Sequence, residues 1–101
     1  MYNRTEIAYE FADAIKSEHV KKIILFGSVA RGDDTSESDI DILIIVSSKN
    51  AVEKFIADTA YSFIANYHEV VSAHLMSEDH YNRTKDYSFL SNVLKEGVVI
   101  G

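Results

Sequence analysis

The sequence contains no cysteine, no proline and no tryptophan. Without cysteine there is no disulfide framework, thiolate metal site or cysteine nucleophile, and such a composition fits a reducing compartment. Long apolar runs are also lacking, since the longest, residues 23–26 and 42–46, are far too short to span a bilayer. Residues 1–10 lack an apolar core of signal-peptide length. We therefore expect a cytoplasmic protein with no membrane association.

Positive charge is scarce as well. Ten Lys and Arg residues stand against 16 Asp and Glu residues, which gives a formal net charge of -6. A phosphate-neutralising surface for long DNA or RNA is therefore not expected. Any phosphate group must be held locally, by backbone amides, an arginine or divalent cations.

The length of 101 residues and the 47% hydrophobic content predict one domain over residues 1–101. Hydrophobic periodicity predicts helices at 5–18, 50–66 (capped by Asn50), 77–85 (capped by Ser77) and 88–97, and strands at 21–26, 39–46 and 69–76. In the last helix, capped by Ser88 and stopped by Gly97, Phe89, Leu90, Val93 and Leu94 are expected to pack inward. Residues 98–100 are left as a tail or an edge strand.

This alternation indicates an α/β (α+β) fold with a small mixed β-sheet and helices packed on it. Residues 27–38 are predicted to form a short helical turn followed by a loop. Because this connection is too short for an ordinary crossover helix, the first two strands are expected to pair antiparallel. In the strand at 39–46, both the odd- and the even-numbered residues are apolar from Ile42 onward, as expected of a central strand covered on both faces.

Two carboxylates stand at the head of the second strand. Asp39 and Asp41 are separated by one residue, so the two-residue period of a strand directs both side chains to one face. Their oxygens suit a hard divalent cation such as Mg²⁺ or Mn²⁺. Without a cation, repulsion between two carboxylates raises one pKa and disfavours double ionisation.

A glycine and a serine mark the end of the first strand. Gly27 lets a ligand approach the backbone closely, and the Ser28 hydroxyl with nearby amides can donate to phosphate oxygens. Arg31 follows with a planar fork suited to a triphosphate. Taken singly, each feature has an ordinary explanation as a turn, a surface arginine or a solvated strand entrance. Their order and spacing favour one combined phosphate and metal site.

The segment LFGSVARGDDTSESDIDILIIV, residues 25–46, resembles the polymerase β-like nucleotidyltransferase superfamily, and within it the minimal nucleotidyltransferase (MNT) domain. The shared pattern is Gly-Ser, about ten residues, then Asp-x-Asp at the head of a strand. The resemblance implies that two metals assist attack of a hydroxyl on the α-phosphate of a nucleoside triphosphate, most simply ATP. It also implies that Asp39 and Asp41 are catalytic metal ligands, while Gly27 and Ser28 hold phosphate.

One part of the family pattern is not evident in this sequence. Members of the superfamily usually add a third carboxylate from a neighbouring strand, and the best placement puts Ser72 at that position. Glu69 takes it only if the register differs. His74 shares the face of Ser72 and is either a base or ligand or an ordinary strand histidine. The alternative to an active enzyme is therefore a catalytically impaired nucleotide-binding or partner-binding module.

The chain is too short to include domains that grip a template or primer, so the acceptor is expected to be a protein side chain or a small molecule. Resemblance to stand-alone MNT domains implies a HEPN-domain partner, with the pair acting as toxin and antitoxin. A homo-oligomer and a regulatory nucleotide sensor in a larger complex are left open.

Overall fold

The structure is a computed structural model that describes residues 3–101. Met1 and Tyr2, the first residues of the predicted domain, lie outside the described residues. No helix within residues 3–101 combines the length and the apolar character needed to cross a bilayer. The elements follow the chain as α1 Arg4–Ala14, β1 Val20–Phe26, α2 Gly27–Arg31, β2 Ile40–Val46, α3 Lys49–Tyr67, β3 Val71–Ser77, α4 Glu78–Thr84, α5 Ser88–Glu96 and β4 Val98–Val99.

The strands form one mixed sheet in the order β3-β2-β1-β4. β1 pairs antiparallel with β2, as the short connection between them predicted, and also pairs antiparallel with β4. β2 pairs parallel with β3, and the crossover between them is α3. The predicted mixed α/β fold is confirmed, and the segment left open at the C-terminus contributes a two-residue edge strand.

β2 is the centre of the structure because both of its faces are covered. Its even-numbered residues, 40–46, belong to a core cluster that includes Phe11 of α1 and Ile56 of α3. Leu43 and Ile45 point to the opposite face and join a smaller cluster that includes Leu90 of α5. Each fully buried aliphatic side chain contributes roughly 1.5 to 3 kcal/mol through removal of apolar area from water. The register of β2 is therefore fixed by two cores at once.

Several helix ends differ from the sequence-based prediction. α1 ends at Ala14, short of the predicted residue 18, and Ile15 is its C-cap, buried in the same core cluster as Phe11. The predicted Asn50 cap is wrong, since α3 already begins at Lys49 and Ser48 precedes it. Ser88 is the first residue of α5 and does not cap it. The Ser77 cap is confirmed, because its hydroxyl accepts a bond from the His80 N–H at 3.1 Å.

α5 presents a narrower apolar stripe to the sheet than predicted. Leu90 and Val93 are buried, one helical turn apart, but Phe89 is 61% exposed and Leu94 is 37% exposed. Residues next to a buried position lie about 100° away around a helix, so a helix lying on one sheet face cannot bury them all. The prediction that Phe89 and Leu94 pack inward is therefore wrong, and Gly97 ends the helix as predicted.

Arg4 ties three distant segments together. Its side chain is 12% exposed, and its Nε donates to Glu69 while one Nη donates to Asp34, both at 2.8 Å. The guanidinium also donates to the main-chain oxygens of Thr35 and Ser36. The start of α1 is thereby joined to the loop before Asp39 and to the residues that lead into β3.

Replacing Arg4 by methionine keeps the apolar stem and removes these bonds, and we expect the free energy of unfolding to fall by about 1 to 2 kcal/mol. Amides in the loop should also exchange hydrogen faster, because that loop loses its side-chain anchor. Arg83→Met is the control, since within residues 3–101 Arg83 pairs only with Asp79, on the exposed surface of α4. Equal denaturation midpoints for the two variants would show that Arg4 does not hold the loop.

Candidate active site

A row of three residues crosses the sheet where β1 ends and β2 begins. Phe26 of β1 lies opposite Asp41 of β2, and Asp41 lies beside Ser72 of β3. Directly opposed residues in neighbouring strands project to the same face of a sheet. Asp41 therefore has an aromatic neighbour on one side and a small polar neighbour on the other. Asp39 lies just before β2 and is exposed.

The Gly27 corner touches the Asp41 carboxylate. Gly27 has φ +74°, which L side chains rarely adopt. A Cβ built on Gly27 would collide with Asp41 Oδ2 and stand 3.3 Å from Asp41 Cγ. The absence of a side chain at Gly27 is thus what lets the strand end and the carboxylate lie together. The two segments predicted to form one site are therefore adjacent in the fold.

The electrostatics of Asp41 reflect its position. Partial burial raises the pKa of Asp41, and the negative charge of Asp39 raises it further, whereas His74 and Arg31 lower it. Asp39, His74 and Arg31 are therefore all close enough for their charges to act on this carboxylate. In the absence of a cation, Asp41 therefore holds its proton to a higher pH in the fold than a free aspartate does.

The donor chemistry of this corner fits a hard divalent cation. Mg²⁺ is commonly held by one or two carboxylates together with water and substrate phosphates, and does not need a cage built only of protein groups. Within residues 3–101 no cluster of three or more Asp, Glu or His side chains arranged for a metal ion is found. Asp39 and Asp41 are consequently two oxygen donors whose remaining partners would come from solvent and substrate.

The third position of the site carries a hydroxyl. Ser72 is paired with Asp41 in the parallel register of β2 and β3, where the sequence placed it. Glu69 precedes β3 and is bonded to Arg4, so it does not stand beside Asp41. His74 Nε2 lies 3.9 Å from Asp41 Oδ1 and 3.2 Å from Ser72 Oγ. His74 therefore lies beside both Asp41 and Ser72.

Comparison with known proteins identifies the family. The sequence profile of the family described as "Nucleotidyltransferase domain" matches residues 8–100, which is almost the whole chain. The chain belongs to this family of nucleotidyltransferases. It is accordingly an enzyme of the nucleotidyltransferase class, and the resemblance seen in residues 25–46 is confirmed.

Two relatives of this nucleotidyltransferase come from Methanocaldococcus jannaschii. The protein named "Putative protein adenylyltransferase MJ0604" is 42% identical over 101 residues, which cover 97% of this chain and 98% of the relative. The similarly named MJ0141 is 34% identical over 98 residues, covering 94% of this chain and 96% of the relative. Both relatives thus match the chain over nearly their full length.

Solved structures share the fold of this nucleotidyltransferase. A Sulfolobus solfataricus crystal structure, described as a putative nucleotidyltransferase, has a TM-score of 0.56 at 24% identity and covers 93% of this chain and 76% of its own. A chain from a toxin–antitoxin crystal structure with AMP-PNP has a TM-score of 0.58 at 20% identity, covering 99% of this chain and 73% of its own. At these identities the likeness shows the fold alone.

Arg31 of this nucleotidyltransferase lies at the end of α2, and its guanidinium is already engaged. One Nη lies 3.1 Å from a Glu96 oxygen, and Nε lies 3.3 Å from an Asp33 oxygen. These bonds raise the pKa of Arg31, which stays cationic. The side chain is 42% exposed, so a phosphate can reach it from solvent if the two carboxylates release it.

Two contributions to the site were missed in the sequence. The first is Phe26, which lies opposite Asp41. Because residues 27–38 join two antiparallel strands, the last residue of β1 is expected to face one of the first residues of β2, and this could have identified Phe26. The second is Arg4, which left no local signal because its partners lie far along the chain.

A cavity of about 500 Å³ beside Arg4 is lined by residues that include Gly32 and Glu69 but not by Asp39 or Asp41. The acidic pair therefore lies outside this cavity.

Proposed function

We propose that this nucleotidyltransferase moves AMP from ATP to a hydroxyl on a protein, or on a small molecule, releasing pyrophosphate and the hydroxyl proton, with Mg²⁺ or Mn²⁺ held by Asp39 and Asp41. The contact between the Gly27 corner and the Asp41 carboxylate is the observation that carries the proposal. The names of the two full-length relatives support AMP as the group and a protein as the acceptor. Residues 1–101 act here as one domain.

Each residue of the corner has a separate task in this proposal. Gly27 lets the triphosphate approach the backbone, and Ser28 donates its hydroxyl and amide to phosphate oxygens. Arg31 leaves Asp33 and Glu96 and binds a phosphate, because the planar guanidinium can donate two parallel hydrogen bonds to phosphate oxygens. A bound divalent cation would neutralise phosphate charge and favour the deprotonated form of the attacking hydroxyl. Asp39 and Asp41 orient the nucleotide by holding that cation.

A protein partner is part of the proposal. The fold neighbour with AMP-PNP is a chain of a toxin–antitoxin pair, and the MNT resemblance implies a HEPN-domain toxin as the partner. We infer that this chain is the antitoxin half of such a pair and modifies the toxin in the cytoplasm. The net charge of -6 argues against long nucleic acid as an acceptor.

The experiment that tests this function uses ATP labelled at the α-phosphate. The purified protein is incubated with the label, Mg²⁺ and the candidate HEPN partner, and labelled protein is followed on a gel. We expect label on the partner that depends on Mg²⁺ and is not obtained with ATP labelled at the γ-phosphate. Label from the γ-phosphate would instead indicate phosphate transfer and would contradict the proposal.

A second candidate function follows from Ser72. With a hydroxyl in place of a third carboxylate beside Asp41, the domain has fewer charged donors for a cation than the family pattern supplies. Such a domain would bind nucleotide and partner while turning over slowly. Partner capture without label, under conditions in which ATP is bound, would favour this second function.

Changing Ser72 to aspartate tests whether the missing carboxylate limits the rate. We expect Ser72→Asp to raise the AMP transfer rate by about tenfold or more, since a positioned base or ligand commonly contributes 10² to 10⁴-fold. Ser72→Asn is the matched control, because it has the same shape without the charge. The measurement is the initial rate at saturating ATP. An aspartate variant no faster than the asparagine variant would show that Ser72 is not the limiting position.

A further inference from the structure

A row of aromatic side chains lies beside Asp41, on the sheet face that α5 partly covers. The row begins with His74, whose Nε2 is 3.9 Å from Asp41 Oδ1. Its ring centroid lies 5.6 Å from that of Phe26. Phe89 then meets Phe26 edge to face, with centroids 6.4 Å apart and an interplanar angle of 88°. We call these three residues the aromatic row.

The middle residue of the aromatic row is packed against the core, and its outer residues are exposed to solvent. Phe26 is partly buried and packs against the cluster that contains Ile24 and Leu90, so its position is held by the core. Phe89 is 61% exposed, and the His74 side chain is 49% exposed. An edge-to-face pair with one ring in solvent leaves ring surface available to a planar ligand. Core packing therefore does not account for Phe89.

We propose that the aromatic row binds the nucleobase of the nucleoside triphosphate, an inference that rests on the proposed function. The polyphosphate tail lies along the Gly27 and Ser28 backbone, and the α-phosphate lies at Asp39 and Asp41. In a nucleotide the base is separated from the α-phosphate by a single ribose. Phe26 lies opposite Asp41 in the β1–β2 pair, and Phe89 meets Phe26, so a base one ribose away from the acidic pair is placed beside these two rings.

Stacking also predicts the kind of base preference. Every base has a π-face, and stacking rewards ring area more than the pattern of hydrogen-bond donors and acceptors. The row should therefore favour purines over pyrimidines and distinguish poorly between adenine and guanine. This preference is a property of Phe89 and its neighbours, and it is separate from phosphate and metal binding at the acidic pair.

The test measures binding by calorimetry in the presence of Mg²⁺, with the full chain. The ligands are the α,β-methylene analogues of ATP and CTP, which resist cleavage at the bond the enzyme would break, and inorganic tripolyphosphate. We expect Phe89→Ala to weaken the ATP analogue about fivefold to tenfold, the lower part of the range for loss of one stacked ring. Tripolyphosphate should bind equally to both proteins. Phe89→Leu should weaken the ATP analogue as well, since it keeps apolar volume but removes the ring.

The matched control is Phe55→Ala, because Phe55 is a similarly exposed phenylalanine, at 50%, on α3. It should leave all three affinities unchanged. Unchanged affinity of Phe89→Ala for the ATP analogue, or an equal loss for tripolyphosphate, overturns the aromatic row as the base site. A loss in partner labelling with nucleotide affinity intact would mark Phe89 as a partner contact and overturn it too.

The two proposals fail in different ways. Asp39→Asn is measured with the same ligands, and weaker binding of both the ATP analogue and tripolyphosphate supports the acidic pair as the phosphate and metal site. If Asp39→Asn has this effect while Phe89→Ala has none, the base site alone is wrong. If Asp39→Asn binds all ligands like the unaltered protein, the proposed function fails, and the aromatic row fails with it as a base site.

Discussion

Replacing Asp41 by asparagine should reduce AMP transfer by about a thousandfold or more while the metal-free protein becomes more stable. Asparagine keeps the size of the side chain and removes the charge that a divalent cation needs, and loss of one such electrostatic group commonly lowers turnover by 10² to 10³-fold or beyond. Asp39→Asn should lower the rate similarly.

The direction of the stability change follows from the raised pKa of Asp41. A carboxyl whose pKa is higher in the folded state than in the unfolded state binds its proton more tightly when folded. Stability is then lost as the pH rises through the folded pKa, so at neutral pH the ionised carboxylate destabilises the metal-free fold. A neutral amide at position 41 removes that cost. Residues that weaken a fold in this way are typical of functional sites.

The measurements are the rate of labelling from α-labelled ATP and the thermal midpoint in the presence of a chelator. Asp58→Asn is the control, because in the described part of the chain Asp58 pairs only with Lys54, on the exposed surface of α3. It should change neither quantity appreciably. An Asp41→Asn protein that keeps its activity would falsify the assignment of the acidic pair. A lower midpoint would show instead that Asp41 is part of the structural framework.

The candidate site could be predicted from sequence because its features are local. Gly27, Ser28 and the Asp39 and Asp41 pair lie within one connection and the two strand ends that it joins. A connection that short constrains its strands to pair antiparallel, and this brings Gly27 against Asp41 without any knowledge of the rest of the chain. Ser72 was placed beside Asp41 through the resemblance, as the residue at the position of the family's third carboxylate, and the parallel register of β2 and β3 agrees with that placement.

The features that sequence could not predict depend on contacts between distant segments. Phe89 has the spacing of a core residue, but the sheet face beneath α5 accepts only the stripe of Leu90 and Val93. The end of α1 at Ala14 has no signal in the periodicity, since Ile15 continues the apolar spacing of the helix and is buried with it. Arg4 finds its partners near residues 34–36 and at Glu69, and no periodicity links these positions. Such contacts need the assembled fold.

Changing Gly27 to alanine should lower AMP transfer about a hundredfold with only a modest loss of stability. Alanine is strained at φ +74°, which costs about 1 to 2 kcal/mol. Its Cβ would also collide with Asp41 Oδ2. Because that oxygen is the end of a side chain that can rotate, the collision should be relieved by moving the carboxylate, at little further cost in unfolding free energy. A displacement of about 1 Å at a reacting centre is enough for a hundredfold loss.

Gly32→Ala is the control that introduces the same backbone strain without displacing the Asp41 carboxylate. Gly32 has φ +80°, and a Cβ there would meet nothing within 4 Å. Both variants should therefore unfold at similar denaturant concentrations, each less stable than the parent by about 1 to 2 kcal/mol. Only Gly27→Ala should lose transfer activity and affinity for Mg²⁺ with nucleotide. Equal activity in the two variants would mean that the Asp41 carboxylate can move without consequence, and the contact between the glycine corner and the acidic strand would then be a packing feature with no part in catalysis.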